Sequence, residues 1–209
     1  MSDRLTVLQA ISQDVKNHHC SLRDGCLQAV PGEGNPHSPL VFIGEGPGRV
    51  EDEQGRPFVG PAGQILNKLL ASIGWKREDV YITNVIKCRP PGNRDPLPLE
   101  VEEHKPFLQR ELDLIQPKLI VLLGRHALHW FLPNEQISKI RGRAKRQGEY
   151  VYFPIYHPAA ALHNPNLLQD LKTDFLKIPV VLQKINELPP VPAAPSPVPK
   201  DVRQQLSIF

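Results

Sequence analysis

Short, wholly apolar runs alternate along this chain with stretches whose apolar residues recur every three or four positions. LVFIGE (40–45) and LIVLLG (119–124) are of the first kind and predict buried strands. DVYITNVIKC (79–88) and YVYFPIYHP (150–158), rich in β-branched and aromatic residues, predict two more. Helical spacing appears over residues 3–16, through Leu5, Leu8, Ile11 and Val15, and over AGQILNKLLASIGW (62–75). It recurs over 98–115, with Leu99, Phe107, Leu108, Leu112 and Ile115 on one side, and over GRHALHWFL (124–132). NPNLLQDLKTDFLK (164–177) opens with an Asn cap and a Pro, as helices do. Strands without polar alternation, separated by helices, predict an α/β fold with a parallel sheet covered on both faces. There is no internal repeat.

Composition adds boundaries. A chain of 209 residues, 40% hydrophobic and 22% charged, suits one domain with an appendage. Of its 23 prolines, six fall between Pro189 and Pro199, a density that excludes helix and ladder and leaves the chain extended. The expected organisation is a domain over 1–188, a linker over 189–203 and a terminal peptide over 204–209. LIVLLG, the longest apolar run, is far short of the roughly 20 residues of a membrane helix, and the N-terminus lacks a signal-peptide core. Three cysteines, an odd number, argue against a disulfide scaffold and fit a reducing, cytoplasmic setting. Net charge is only +3, but KIRGRAKR (139–146) carries five basic residues and no acidic one, either a solvated face or a nucleic-acid contact.

In open α/β sheets, ligands bind at the carboxyl ends of the strands. GEGPGRVED (44–52) follows the first strand, Asn84 and KCRPPGNR the second, and His157-Pro158 the fourth. GEGPG lacks the GK[ST] of a phosphate loop, and Arg49 stands where a dinucleotide fingerprint needs its third glycine. It is a tight strand-to-helix turn or a loop that brings backbone amides to a ligand.

Taken together, GEGPGRVEDEQGRPFVGPAGQILNKLL, VYITNVIKCRPPGNRDP, LIVLLG and HPAAALHNP resemble family 4 uracil-DNA glycosylase over residues 17 to 175, in order and spacing. The resemblance implies a three-layer α/β/α sandwich on a four-stranded parallel sheet. It also implies removal of uracil from single- and double-stranded DNA, leaving an abasic site. Such a base must be flipped out of the helix. Phe58 matches the family's stacking residue. Asn84 matches its base reader: uracil offers an N3–H donor and an O4 acceptor, cytosine the opposite pair, and one fixed amide serves only the former. His157 matches the histidine that donates to the departing base at O2. Glu45 and Gly46 line the opposite side, and Glu45 orients water, supports the cationic sugar or shapes the pocket against the thymine methyl. Leu162 resembles the wedge that fills the gap left by the base. Pro158 and His163 belong to the same loop, with His163 where the family commonly has Arg. Arg141 sits in the family's RG element and, with Arg143, becomes a DNA contact.

The family carries a 4Fe–4S cluster on four cysteines, and alignment places Asn17, Cys20, Cys88 and His104 at those positions. Two thiolates are replaced, which counts against an intact cluster. Cys26, His18 or His19 are substitutes for the first ligand, and His104 for the last. The chemistry itself needs no cofactor. The insertion of the DNA-crosslinking relatives after Asn84 is missing, so covalent capture is not expected.

Finally, Gln205, Leu206, Ser207, Ile208 and Phe209 resemble the bacterial sliding-clamp-binding pentapeptide QL[SD]LF, at the end of an extended spacer. The expectation is a monomeric, nucleoid-associated repair enzyme of the cytoplasm, tethered through Gln205, Leu206, Ile208 and Phe209 to the clamp of the DNA polymerase. Rival readings are a glycosylase for other deaminated bases such as hypoxanthine and a catalytically silent damage-binding clamp adaptor.

Overall fold

A computed structural model describes residues 3–187. The boundary at Leu188, the linker over 189–203 and the peptide over 204–209 lie outside the described residues. The chain runs through α1 (Arg4–Asn17), β1 (Glu33–Gly34), β2 (Leu40–Gly44), α2 (Arg49–Gln54), α3 (Pro61–Ser72) and β3 (Tyr81–Asn84). It continues through α4 (Pro98–Ile115), β4 (Leu119–Leu123), α5 (Gly124–Phe131), α6 (Ile137–Ile140) and β5 (Lys145–Gln147). β6 (Tyr150–Ile155), α7 (Pro158–His163), α8 (Pro165–Phe175) and α9 (Ile178–Gln183) follow.

The strands form one sheet in the order β1-β3-β2-β4-β6-β5. Its centre is the expected set of four parallel strands, β3, β2, β4 and β6. Two short antiparallel strands extend it: β1 beside β3 and β5 beside β6. β1 and β5 are two and three residues long, too short to show a period in the sequence. Both central strands β2 and β4 are buried throughout. Their alternate residues feed two cores. Val41, Ile43, Ile120 and Leu122 meet Leu8, Val15, Leu108 and Leu112 of α1 and α4. Leu40, Phe42, Leu119 and Val121 meet Leu66, Leu70, Leu171 and Phe175 of α3 and α8. Two helical layers around one sheet are therefore each sealed by apolar burial.

Several boundaries differ from the sequence reading. The second strand ends at Asn84 rather than 88, although Val85 and Ile86 still donate backbone hydrogen bonds to Gly44 and Glu45 at 2.9 and 3.0 Å. The fourth ends at Ile155, and His157 instead caps α7, a helix where the sequence suggested a loop. On α4 the buried face runs through Glu100, Val101, His104, Leu108, Glu111, Leu112 and Ile115. Leu99 is 66% exposed, so it is not part of that face. α8 starts as expected, with Pro165 in its first turn and the Asn164 side chain accepting from the Asn166 amide at 3.0 Å. Among the described residues no helix is long and apolar enough to cross a membrane.

Candidate active site

Glu45, Gly46, Phe58, Asn84 and His157, drawn from three strand ends and a loop, line one cavity of about 280 Å³. Glu51, Ile86, Asn93, Arg94 and Ala159 also contribute to its wall. The register explains the convergence: Gly44, the last residue of β2, pairs with Asn84, the last of β3. Gly44 has no Cβ for a reason. One built there would stand 2.5 Å from both Asn84 Oδ1 and Phe58 Cζ, well inside van der Waals contact.

Phe58 is held in an uncommon conformation. Its φ is +52°, in the left-handed region, which costs a non-glycine residue about 1–3 kcal/mol. Both sides of its loop are fastened. Arg77 Nη1 donates to the Phe58 carbonyl at 2.9 Å, and Nη2 donates to that of Pro57. Arg77 is itself paired with Glu33 at 2.8 Å. From the other side Glu51 Oε1 accepts from the amides of Val59 and Gly60, at 3.0 and 2.8 Å. Gly63 of α3 leaves room for this loop, since a Cβ there would meet the Phe58 carbonyl oxygen at 1.8 Å. The ring so positioned lies 5.6 Å from that of His157 and 33° from parallel.

Asn84 is 2% exposed, and its Oδ1 is buried without a hydrogen-bond partner. An unmet acceptor of this kind costs about 1–3 kcal/mol, a cost that a ligand donor removes. Beneath it, the Asn84 carbonyl accepts from Lys87 Nζ at 3.0 Å. Lys87 and Glu111, each with a side chain 1% exposed, form an ion pair at 2.8 Å that ties this strand end to α4.

His157 Nδ1 accepts the Ala159 amide at 3.1 Å. A nitrogen that accepts carries no proton, so the neutral ring holds its hydrogen on Nε2. Burial depresses the His157 pKa to about 4, against the opposing charge of Glu51 and with the help of His126. The imidazole is therefore a neutral donor at physiological pH. Glu45 behaves in the opposite sense. Burial, reinforced by Asp95 and opposed by Arg125, lifts its pKa to about 7. His126 Nε2 lies 3.7 Å from Glu45 Oε2 and 3.2 Å from Asp95 Oδ1.

None of the remaining expected contacts lines this cavity. Pro158 opens α7 and is buried, and Leu162 is 46% exposed one turn after Ala159, on the same side of the helix. His163 ends α7. The basic run is partly committed elsewhere. Arg141 pairs with Asp170 and with buried Asp174, both at 2.7 Å, and its guanidinium lies 5.0 Å from the Tyr156 ring. Lys145 pairs with Glu135, and with Arg146 it lies on edge strand β5, where charge discourages further strand pairing. Arg143 is exposed.

A second group sits on the other side of the sheet. Ligand atoms of Cys20, Cys88 and His104 all lie within 4.8 Å of one another. Hydrogen bonding from Cys88, with His104 nearby, draws the Cys20 thiol down to about 4, while that same contact and burial push Cys88 up. Asn17 is exposed, and its Oδ1 accepts from Gln13 at 3.0 Å, so it is not part of this group.

Sequence reasoning missed Glu51, Arg77, Glu33 and the Asp95–His126 pair. Glu51 and Asp95 stood within the quoted GEGPGRVED and PPGNRDP blocks, but their work is contact across eight or more residues, which spacing does not reveal. Arg77 and Glu33 carried no signal at all.

The family model for the uracil DNA glycosylase superfamily matches residues 31–178. A type-4 uracil-DNA glycosylase of Archaeoglobus fulgidus is 49% identical over 168 residues, 76% of this chain and 84% of the relative. One from Sulfurisphaera tokodaii is 45% identical over 182 residues, 82% of this chain and 83% of the relative. One from Thermotoga maritima is 43% identical, covering 78% and 88%. The cavity at the strand ends lies within the matched span, and the chain belongs to the uracil DNA glycosylase superfamily, alongside its type-4 members.

Proposed function

We propose that the protein is a DNA repair glycosylase that grips an extruded uracil in the strand-end cavity and hydrolyses its N-glycosidic bond. The observation that carries this is the orphaned Asn84 Oδ1, buried in a cavity it shares with an aromatic ring and a neutral imidazole donor. Uracil N3–H supplies the missing donor, and the Asn84 amide N–H meets O4. Cytosine presents the reverse pattern and leaves these buried groups unmatched. Phe58 stacks on the flat base, an interaction of about 1–3 kcal/mol.

Bond cleavage leaves negative charge on the base and positive charge on the sugar. His157 Nε2–H donates to O2 as that charge develops. A neutral donor suits this task because it loses no proton to an anion that remains a good leaving group. Glu45, which ionises as pH rises through about 7, stabilises the cationic sugar or orients the attacking water. Leu162 occupies the space left by the base, and Arg143, with Pro158 and His163 of α7, contacts the backbone. Arg141 takes part if DNA phosphate displaces one of its two aspartates.

The second partner is the bacterial sliding clamp, bound through Gln205, Leu206, Ile208 and Phe209. This reading rests on the resemblance of the terminal pentapeptide. The tether raises the local concentration of a monomeric enzyme near newly copied DNA.

The activity is tested by incubating excess protein with oligonucleotides that carry uracil, hypoxanthine, cytosine or thymine at one position, then treating with alkali. Strand scission at uracil alone is expected, in single and double strands. Scission at hypoxanthine above that at uracil moves the substrate, and none at any base leaves a damage-binding adaptor.

A further inference from the structure

The Cys20–Cys88–His104 group takes no part in the chemistry above, yet it is built as a ligand set. His104 is fully buried, and its Nδ1 stands 2.7 Å from the Glu100 carbonyl oxygen. A carbonyl only accepts, so Nδ1 carries the proton and Nε2 is left as a bare lone pair. That nitrogen is buried with no hydrogen-bond partner. Cys88 is 1% exposed, and its Sγ lies within 4.8 Å of Cys20 Sγ. Cys26, on the loop before β1, packs against the same buried cluster as Cys88, and its Sγ lies 3.6 Å from the Arg23 guanidinium. His18 has an unpartnered buried Nε2 of its own, but its ring packs edge-on to His104 and Phe107, whereas Cys26 offers a thiolate, the softer donor; neither is among the three whose ligand atoms converge.

A 4Fe–4S cluster, which the family resemblance implies, does not fit this set. Its four thiolates reduce here to two at the aligned positions, since exposed Asn17 is turned to Gln13 and His104 offers nitrogen. Size argues the same way. In a cubane, iron and sulfide stand between the cysteines and hold them far apart. A single zinc with bonds of about 2.3 Å draws its ligand atoms to roughly 3.8 Å of one another. The ligand atoms of Cys20, Cys88 and His104 lie within 4.8 Å, so none of these three pairs has to close by more than about 1 Å around one such ion, and Cys26 has to move in to complete the set.

We propose that Cys20, Cys26, Cys88 and Nε2 of His104 hold a single zinc ion as a closed structural site, in place of an iron–sulfur cluster. Three thiols release their protons as zinc binds, and the imidazole gives its lone pair without losing one. The complex carries one net negative charge, which Arg23 partly offsets. The Glu100 carbonyl fixes the ring from behind, the role outer partners have at zinc sites. The ion fastens the loop after α1 to α4 and to the segment after β3, whose continuation through Pro90, Asn93 and Arg94 forms cavity wall.

The test uses the full chain, produced with both iron and zinc in the medium and purified without chelator. Elemental analysis and acid-labile sulfide are expected to give about one zinc per chain with no stoichiometric iron or sulfide, in colourless protein. Cobalt substitution is expected to give sulfur-to-cobalt charge transfer and the intense ligand-field bands of a tetrahedral site. Cys26→Ala lowers zinc affinity at least about tenfold in competition with a chromophoric chelator, and Asn17→Ala and His18→Ala leave it unchanged. His104→Cys retains zinc and shifts the cobalt bands, which keeps the test informative if His104→Ala does not fold. Four irons with matching sulfide, metal-free protein, or Cys26→Ala with undiminished affinity overturns the proposal. None of these readouts depends on base removal.

Discussion

Two ionisable side chains in the cavity are displaced in opposite directions, and each gives the enzyme a measurable signature. Glu45 has its pKa raised to about 7 by burial and by Asp95. The folded state thus holds a proton that the unfolded chain has already released between about pH 4.5 and 7. Glu45 therefore adds stability at pH 5.5 that is lost as pH rises through 7. Glu45→Gln is expected to flatten this part of the stability–pH curve in chemical denaturation, and to remove a rise in single-turnover base release through the same interval. If both curves keep their wild-type shape, Glu45 neither titrates there nor serves the sugar. His157, with its pKa lowered to about 4, stays neutral across that range and imposes no acid limb above about pH 4. His157→Ala is expected to slow base release by about 100- to 1,000-fold, the usual loss of one donor to a developing anion. Affinity for uracil-containing DNA should stay within a few-fold, and matched losses in rate and binding would contradict donation to O2.

At the scale of elements, the site depends on how closely two strand ends and one loop approach. Gly44 marks the point of contact, because a single methyl there meets both Asn84 and Phe58 at 2.5 Å. Gly44→Ala is expected to cost about 1–3 kcal/mol of stability, as overpacking does. It should lower single-turnover base release by at least about 100-fold, a loss out of proportion to the change in melting temperature. Undiminished activity in a folded Gly44→Ala protein would mean that the strand end is not packed against the ligand. Much of this arrangement was legible beforehand. Apolar runs marked two of the four parallel strands and β-branched and aromatic residues the other two, and the rule that ligands gather at their carboxyl ends brought Glu45, Asn84 and His157 to one rim. What the sequence hid was support rather than chemistry. The fastening of the Phe58 loop by Arg77 and Glu51, and the Lys87–Glu111 pair under Asn84, join residues 8 to 24 positions apart and leave no periodic trace. Leu99 was assigned to a buried face by its apolar character, whereas the helix turns Glu100, paired with Arg94, inward instead.

At the scale of the whole molecule, the sheet serves as a platform with different work on its two sides and rim. Its carboxyl rim holds the cavity, α1 and α4 enclose the cysteine–histidine group, and β5 closes one edge with charge. The proposed tether through the terminal peptide is separable from this platform. Deleting residues 205–209 is expected to abolish binding to the sliding clamp while leaving base release from short oligonucleotides unchanged. Clamp binding that survives the truncation would place the contact elsewhere. The central claim, however, is that the side-chain amide of Asn84, with its unpartnered Oδ1 and its N–H donor, selects the base. The most direct measurement is the single-turnover rate of Asn84→Asp on matched oligonucleotides carrying uracil or cytosine at the same position. A carboxylate cannot donate to O4, so uracil release should fall and the preference for uracil over cytosine should narrow by about 1–3 kcal/mol, roughly one to two orders of magnitude. An Asn84→Asp enzyme that keeps the wild-type preference would show that the base is read by another group.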